Sequence, residues 1–196
     1  MEIATLLQLP INNNNIKAVI FDCFGTLMQT TAKKKPYKML VNYLKDKGFE
    51  DDNFAYWLMS QPVDIKLIEQ KTKIKIDTHI IDQFNTLLKE DLEAIKAYPE
   101  TNKVLLQLKS KNIKIVLCSN LASDYGNTAK THTEKFDEYI LSYECGYLKP
   151  QKEIYQLCQE KVGFEKNEII FVGDNYKDDY LGSKEFGFVS YWLNRK

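Results

Sequence analysis

The sequence predicts an α/β fold: a parallel sheet flanked by helices, interrupted after its first strand by a long, all-helical insert. Three observations carry this reading. Residues 16–22, "IKAVIFD", are near-continuously apolar, as a strand covered on both faces must be. From about Lys34 to Ala97 the apolar residues recur instead at helical spacing. After Tyr98-Pro99, strand and helix patterns alternate to the end of the chain, the mark of a parallel sheet built from crossovers.

The elements follow in order. Gly25-Thr26 break the first strand. In the insert, Tyr37, Leu40, Val41, Tyr43 and Leu44 mark a helix that Gly48 can stop, and "FAYWLM" and "DIKLIEQ" continue the pattern. The longest run, "DTHIIDQFNTLLKEDLEAIKAY", starts at Asp77, a candidate N-cap. The aromatics Tyr37, Tyr43, Phe54, Tyr56 and Trp57 read as core of this insert rather than as substrate contacts. Beyond Pro99 come a helix around Val104, Leu105 and Leu108, the strand "IKIVLCSN", and a helix near Asp124 to Thr131. The short strand "YILSY", a helix from about Lys152 to Val162, the strand "EIIFVGDN", a helix from about Asp178 to Phe186 and the strand "FVSYWL" complete the chain.

With 196 residues, 44% hydrophobic and 28% charged, the chain can form one sizeable core, or one core with a smaller inserted unit. Its 27 Lys+Arg balance 27 Asp+Glu, so there is no broad basic field for a nucleic acid backbone or an anionic membrane. No apolar run approaches the roughly 20 residues that span a bilayer. Glu2 stands where a secretory signal would be basic, and the expected address is the cytoplasm. Cys23, Cys118, Cys145 and Cys158 form no CxxC pair or zinc spacing and read as reduced packing residues. Arg195 is the only arginine, and Asn12 to Asn15 form a polar lead-in to the first strand. No feature of the sequence specifies an oligomeric state.

Three apolar strands end in polar residues: "VIFD" at Asp22, "IVLCSN" at Ser119 and Asn120, and "IIFVGDN" at Asp174. In an open parallel sheet the strand C-termini share one edge, so these residues converge on one pocket. Each has a bland reading too: Asp22 as a turn residue, Ser119-Asn120 as a helix N-cap, Lys149 as a solvated lysine before Pro150, and the acidic loop as solvated surface. Gathering the acids is costly, because two carboxylates about 4 Å apart repel by roughly 4 kcal/mol at an effective dielectric near 20. A divalent cation offsets that cost, and Mg²⁺ suits an all-oxygen donor set.

Four motifs, "FDCFGT", "LCSN", "KP" at Lys149-Pro150 and "GDNYKDD", together resemble those of the haloacid dehalogenase superfamily of hydrolases, over residues 16 to 192. The resemblance implies a Rossmann-like core from residues 1–26 and 98–196, with strand order 3-2-1-4-5, and a helical cap from residues 27–97. It makes Asp22 the nucleophile of a covalent aspartyl intermediate, Ser119 a hydroxyl donor to the transferring group, and Lys149 the cation that holds the nucleophile and the bound anion. Phe24, Gly25, Thr26 and Asn120 would border the substrate. Asp22, Asp174, Asp179 and the backbone carbonyl of Phe24 would hold Mg²⁺, with Asp178 as an acidic neighbour.

Phe24 departs from the pattern. Phosphatases of this family usually carry there an aspartate that protonates the leaving group and then activates water, and phenylalanine can do neither. The resemblance therefore implies a Mg²⁺-dependent hydrolase of a small phosphorylated molecule that favours leaving groups of low pKa. Two alternatives stand beside it. An aromatic at this position marks the 2-haloacid dehalogenases, although their halide-holding arginine near the start of the cap has no counterpart here other than Lys33, Lys34 or Lys35, and their final motif usually reads Ser-Ser-Asn where this chain has Gly173-Asp174-Asn175. The other is a scaffold that binds a phosphate-bearing ligand or a protein with little turnover.

Overall fold

The computed structural model describes residues 15–32, 34–132 and 136–195; Lys33, Glu2 and residues 12–14 of the polar lead-in lie outside them. Strand β1 (Ala18–Phe21) runs down the middle of a five-stranded parallel sheet. It pairs on one side with β4 (Lys114–Ser119) and on the other with β6 (Ile169–Gly173), while β5 (Glu138–Leu141) and β7 (Val189–Trp192) form the edges. Counted within this sheet, the order is the expected 3-2-1-4-5.

Alternation explains why these strands read as unbroken apolar runs. Val19, Phe21, Ile115, Leu117, Ile170 and Val172 face one buried cluster, with Val104, Leu105 and Leu108 of helix α5 (Thr101–Ser110). Ala18, Ile20, Val116, Cys118, Ile169 and Phe171 face the other, with Ile154, Tyr155 and Cys158 of helix α8 (Lys152–Val162). Both faces are covered, so no position asks for a polar residue. Cys23, Cys118, Cys145 and Cys158 are free thiols, and all but Cys145 are fully buried. No helix among the described residues is long and apolar enough to cross a membrane.

The insert contributes helices α1 (Pro36–Asp46), α2 (Phe54–Met59), α3 (Ile65–Thr72) and α4 (Thr78–Glu93). They close over a cluster of their own, built on Leu40, Leu44, Phe54, Leu58, Ile68, Ile76 and Phe84. Pro36 opens α1, where its missing N–H costs nothing. Asp64 caps α3 by accepting from the Leu67 N–H at 2.7 Å. Asp77 occupies the N-cap position of α4 without capping it, and its carboxylate accepts instead from the Tyr43 hydroxyl at 3.0 Å.

The structure departs from the sequence expectation in three places. The insert is not helical throughout: β2 (Met28–Thr30) and β3 (Ile95–Ala97) pair antiparallel where the chain leaves and re-enters the core. Pairing of two chain crossings, with Ile95 and Met28 both buried in the core, overrides the helical rhythm that runs on through Ala97. The strand "YILSY" stops at Leu141, and Ser142 starts a helical turn, α7 (Ser142–Cys145). Before α9 (Gly182–Phe186) the chain makes a π-helical turn, Tyr176–Leu181, which turns Asp179 inward. Helix α6 (Gly126–His132), preceded by a 3₁₀ turn at Ser123–Tyr125, lies close to the expected span.

Candidate active site

The register fixes the site. Phe21 pairs with Leu117 on one side and Val172 on the other, so Asp22, Ser119 and Asp174 leave the sheet at the same edge. The Asp22 N–H still donates to Val172 O at 2.9 Å, which holds the nucleophile candidate in the last rung of the ladder. The chain then doubles back: Gly25 N–H donates to Met28 O at 2.8 Å and Leu27 N–H to Cys23 O at 2.8 Å. Gly25 is needed twice over. Its φ is +85°, and a Cβ there would lie 2.2 Å from a carboxylate oxygen of Asp174.

Lys149 is the centre of the arrangement. Buried to 4% exposure, its Nζ donates to Asp22 Oδ1 at 2.7 Å, to Asp179 Oδ1 at 2.6 Å and to Cys118 O at 3.0 Å, which uses all three protons. Burial alone would push its pKa down, but the charges of Asp179 and Asp22 outweigh burial and hold it well above the usual lysine value. Asn120 fixes the backbone of this lysine from both sides, its Nδ2 donating to Lys149 O at 2.8 Å and its Oδ1 accepting from Lys149 N–H at 2.8 Å. The peptide bond from Lys149 to Pro150 is cis.

Around Asp22 the hydroxyls complete a cradle. Ser119 Oγ donates to Oδ1 at 3.3 Å and Thr26 Oγ1 to Oδ2 at 3.2 Å, with Asp174 Oδ1 a further 3.5 Å from the same threonine hydroxyl. Ligand oxygens of Asp22, Asp174 and Asp179 lie within 4.8 Å of one another. Burial pushes the pKa of Asp179 up to about 6 against the opposing pull of Lys149, and that of Asp174 is raised by its partial desolvation against the loop and by the charge of Asp22. Three carboxylates therefore face one ammonium. The donor set is all oxygen, as a hard divalent cation requires, and the residues fit Mg²⁺. Asp179 has one oxygen on Lys149 and the other on Asn175 N–H at 3.0 Å, which makes Asp22 and Asp174 the more available ligands. A Cβ on Gly173 would stand 2.2 Å from the Asp179 carboxyl, so glycine there is what lets the acid fold back.

Asp22, Phe24, Ser119, Asn120, Lys149, Asp174 and Asp179 border one cavity of about 240 Å³, together with Asn175 and Asp178. Gly25 and Thr26 support it from the loop. The Phe24 ring lies at its margin, edge-on to Tyr125 with centroids 5.8 Å apart, and brings no proton-transfer group. Lys34 pairs with Glu90 at 2.8 Å, and Lys35 borders a different, larger cavity; neither borders the cavity of Asp22.

Three residues to which sequence reasoning assigns no role hold this site in place. Arg195 stacks on Tyr98 at 3.6 Å, pairs with Glu100 at 2.7 Å, and donates to Thr26 O at 2.6 Å, pinning the loop behind Asp22 from the far end of the chain. Trp192 Nε1 donates to Asp174 O at 2.9 Å. Asn175 accepts from the N–H groups of Lys177 and Asp178 at 3.0 Å each, capping the π-helical turn. Being the sole arginine is the one available signal for Arg195; the strand-end position of Trp192, paired with Gly173, is the signal for the tryptophan.

Comparisons with known proteins bear on the family and the fold. An (S)-2-haloacid dehalogenase of Pseudomonas fluorescens is 25% identical over 93% of this chain and 86% of its own. A glyceraldehyde 3-phosphate phosphatase of Methanothermobacter thermautotrophicus is 24% identical over 91% of this chain and 86% of its own. A crystal structure of a HAD family enzyme from Bacteroides thetaiotaomicron, in complex with magnesium and inorganic phosphate, shares the fold with a TM-score of 0.67 at 17% identity, covering 91% of this chain and 94% of that one. The family model for haloacid dehalogenase-like hydrolases matches residues 16–187, and the chain belongs to that family of hydrolases.

Proposed function

We propose that this protein is a Mg²⁺-dependent phosphatase, which hydrolyses a small phosphorylated metabolite through an aspartyl-phosphate on Asp22, with the insert, residues 27–97, acting as its cap. The observation that carries the reading is the charge balance: three carboxylates within 4.8 Å of one another face a single buried ammonium. A site of that kind accepts a phosphoryl dianion only with further positive charge. Asp22, the carbonyl of Phe24 and Asp174 would hold Mg²⁺, with Asp179 behind them, and the ion would supply neutralisation of the transferring group.

The chain's own groups do the rest. Lys149 and Ser119 orient Asp22; the Ser119 hydroxyl can turn to a phosphoryl oxygen, and Lys149 can do so by exchanging one of its three present acceptors. Asp22 attacks phosphorus, the bond from phosphorus to the leaving oxygen breaks, and that oxygen departs with the electron pair. Water then attacks the phosphorus of the acyl phosphate, releasing inorganic phosphate and regenerating the carboxylate. Phe24 offers no proton to the leaving oxygen, so acyl and aryl phosphates are favoured over alkyl ones.

A second reading, hydrolytic dehalogenation of a 2-haloacid by the same aspartate, is favoured by Phe24 and by the Pseudomonas relative. Against it, among the described residues Arg195 is committed to Glu100 and Thr26, and neither Lys34 nor Lys35 borders the cavity of Asp22. Phosphate release from acetyl or p-nitrophenyl phosphate with Mg²⁺, measured beside chloride release from 2-chloropropionate without metal, separates the two. Asp22→Asn is expected to lower phosphate release by about 10⁴-fold or more. Chloride release with no phosphate release would replace the phosphatase reading by the dehalogenase one.

A further inference from the structure

We propose that the larger cavity beside the nucleophile, between the insert and the core, is a pocket for an apolar leaving group, and that the substrate is an aryl or alkyl-aryl phosphate rather than a sugar or polyol phosphate. The inference rests on the phosphatase reading and deepens it. The cavity, about 510 Å³, lies within the range of roughly 300–1,000 Å³ typical of small-molecule sites. It adjoins the cavity of Asp22, since Phe24 and Asn120 border both. A leaving group extending from a phosphoryl group held at Asp22 would reach this space by passing Phe24 and Asn120.

The walls are apolar from both sides: Val41, Ala55 and Leu58 from the insert, Leu121 and Tyr125 from the core. More telling is the state of the polar groups. Asp91 has one oxygen on the Thr30 hydroxyl at 3.0 Å and Lys34 N–H at 3.1 Å, and the other on the Tyr125 hydroxyl at 2.9 Å. The Tyr37 hydroxyl donates to Asp124 at 2.5 Å, and Asn120 is engaged at both ends by the Lys149 backbone. Burial, with Asp124 beside Tyr37 and Asp91 beside Tyr125, holds both phenols far above their usual pKa, so they stay neutral. Lys35 and Lys38 lie at the exposed rim, where water solvates them.

A site that selects a sugar keeps donors and acceptors free for its hydroxyls. Here they are already paired with one another, and a polyol entering the cavity would leave its hydroxyls unmatched. An aromatic leaving group suits both facts about Phe24: it packs against the ring, and as a phenolate it departs without a proton.

The test uses a series of 4-n-alkylphenyl phosphates, from methyl to butyl, in which the leaving-group pKa barely changes, and the matching non-hydrolysable phosphonates. Binding of the phosphonates to the Mg²⁺-loaded protein, read by calorimetry, is expected to tighten by up to about 4-fold per added methylene, and kcat/KM for the phosphates to rise in step. Ala55→Trp, on an exposed helical position at the cavity wall, is expected to flatten both series. Affinity independent of chain length in a protein that does hydrolyse acetyl phosphate would overturn the pocket and leave the phosphatase standing. Chain-length-dependent binding with no turnover of any phosphate would support the pocket and overturn the phosphatase.

Discussion

Two buried aspartate systems, one at the sheet edge and one under the insert, are held in opposite ways. Asp22 and Asp179 share the Lys149 ammonium through bonds of 2.7 and 2.6 Å, with the charge of a third acid close by. Asp91, exposed by only 5%, is held by neutral donors alone: a threonine hydroxyl, a tyrosine hydroxyl and a backbone N–H, at 2.9 to 3.1 Å. The first system joins the residue just after β1, the cis-Pro loop and the turn after β6, and its oxygens border an open cavity. The second joins the β2–β3 ribbon, the chain entering α1 and the 3₁₀ turn, and its oxygens are all engaged. One arrangement can exchange partners when an anion and a cation arrive; the other ties the insert to the core. Phe24 is where they meet, because it borders the cavity of Asp22 and packs on Tyr125.

That meeting point gives the largest expected effect. Phe24→Asp restores a carboxyl where the family's phosphatases usually have one, and is expected to raise kcat/KM for alkyl phosphates such as butyl phosphate by about 10²-fold or more, within the range of general acid catalysis. The same change removes the aromatic floor of the apolar cavity and is expected to flatten the alkylphenyl series. An aspartate variant no better on alkyl esters would mean that proton donation to the leaving group is not what limits this site.

Lys149→Met attacks the charged system. It leaves Asp22 and Asp179 facing each other without their cation, and is expected to cost about 3–5 kcal/mol in urea unfolding at pH 7 without metal, besides abolishing turnover. Tyr125→Phe attacks the neutral one. It strips the phenolic donor from Asp91 Oδ2, with an expected cost of about 1–3 kcal/mol and retention of acetyl phosphate hydrolysis as a separate readout. Equal costs for the two variants would erase the distinction drawn between them.

The two systems also differ in how far the sequence discloses them. Asp22, Ser119 and Asp174 can be placed together because parallel strands buried on both faces read as apolar runs whose ends share an edge. Lys149 is legible only through its place among the motifs, since a lysine before a proline is ordinarily solvated. Asp91 lies inside the amphipathic run of α4, where an acid looks like a solvent-facing residue, and its partners Thr30 and Tyr125 come from distant parts of the chain. The ribbon is hidden for a related reason: Ile95 to Ala97 continue the helical rhythm of α4, and only pairing with Met28 to Thr30 makes them a strand. Arg195 acts on Thr26 across the whole chain, a contact no local pattern can encode.

Asp137, outside both systems, combines one partner of each kind and so sharpens the comparison at its small end. Its Oδ2 accepts from Ile115 N–H at 2.7 Å, a neutral donor at the start of β4, while its Oδ1 pairs with the Lys109 ammonium. Burial tends to raise its pKa, but the Ile115 N–H and Lys109 outweigh burial and hold it below the ordinary value of 3.8. A carboxylate with a folded pKa below its unfolded one contributes stability above the unfolded value and loses it as pH falls through the folded one. Asp137→Asn is therefore expected to cost about 1 kcal/mol at pH 7, measured by urea unfolding, with the gap to wild type closing once the pH drops below 3.8. Because the amide oxygen introduced by this substitution can keep a neutral bond to Ile115 N–H, what the variant loses is the charge-assisted share. A cost that persists unchanged at low pH would assign the stabilisation to shape and backbone bonding alone, and would place Asp137 with the neutral clamp around Asp91 rather than with the charged system around Lys149.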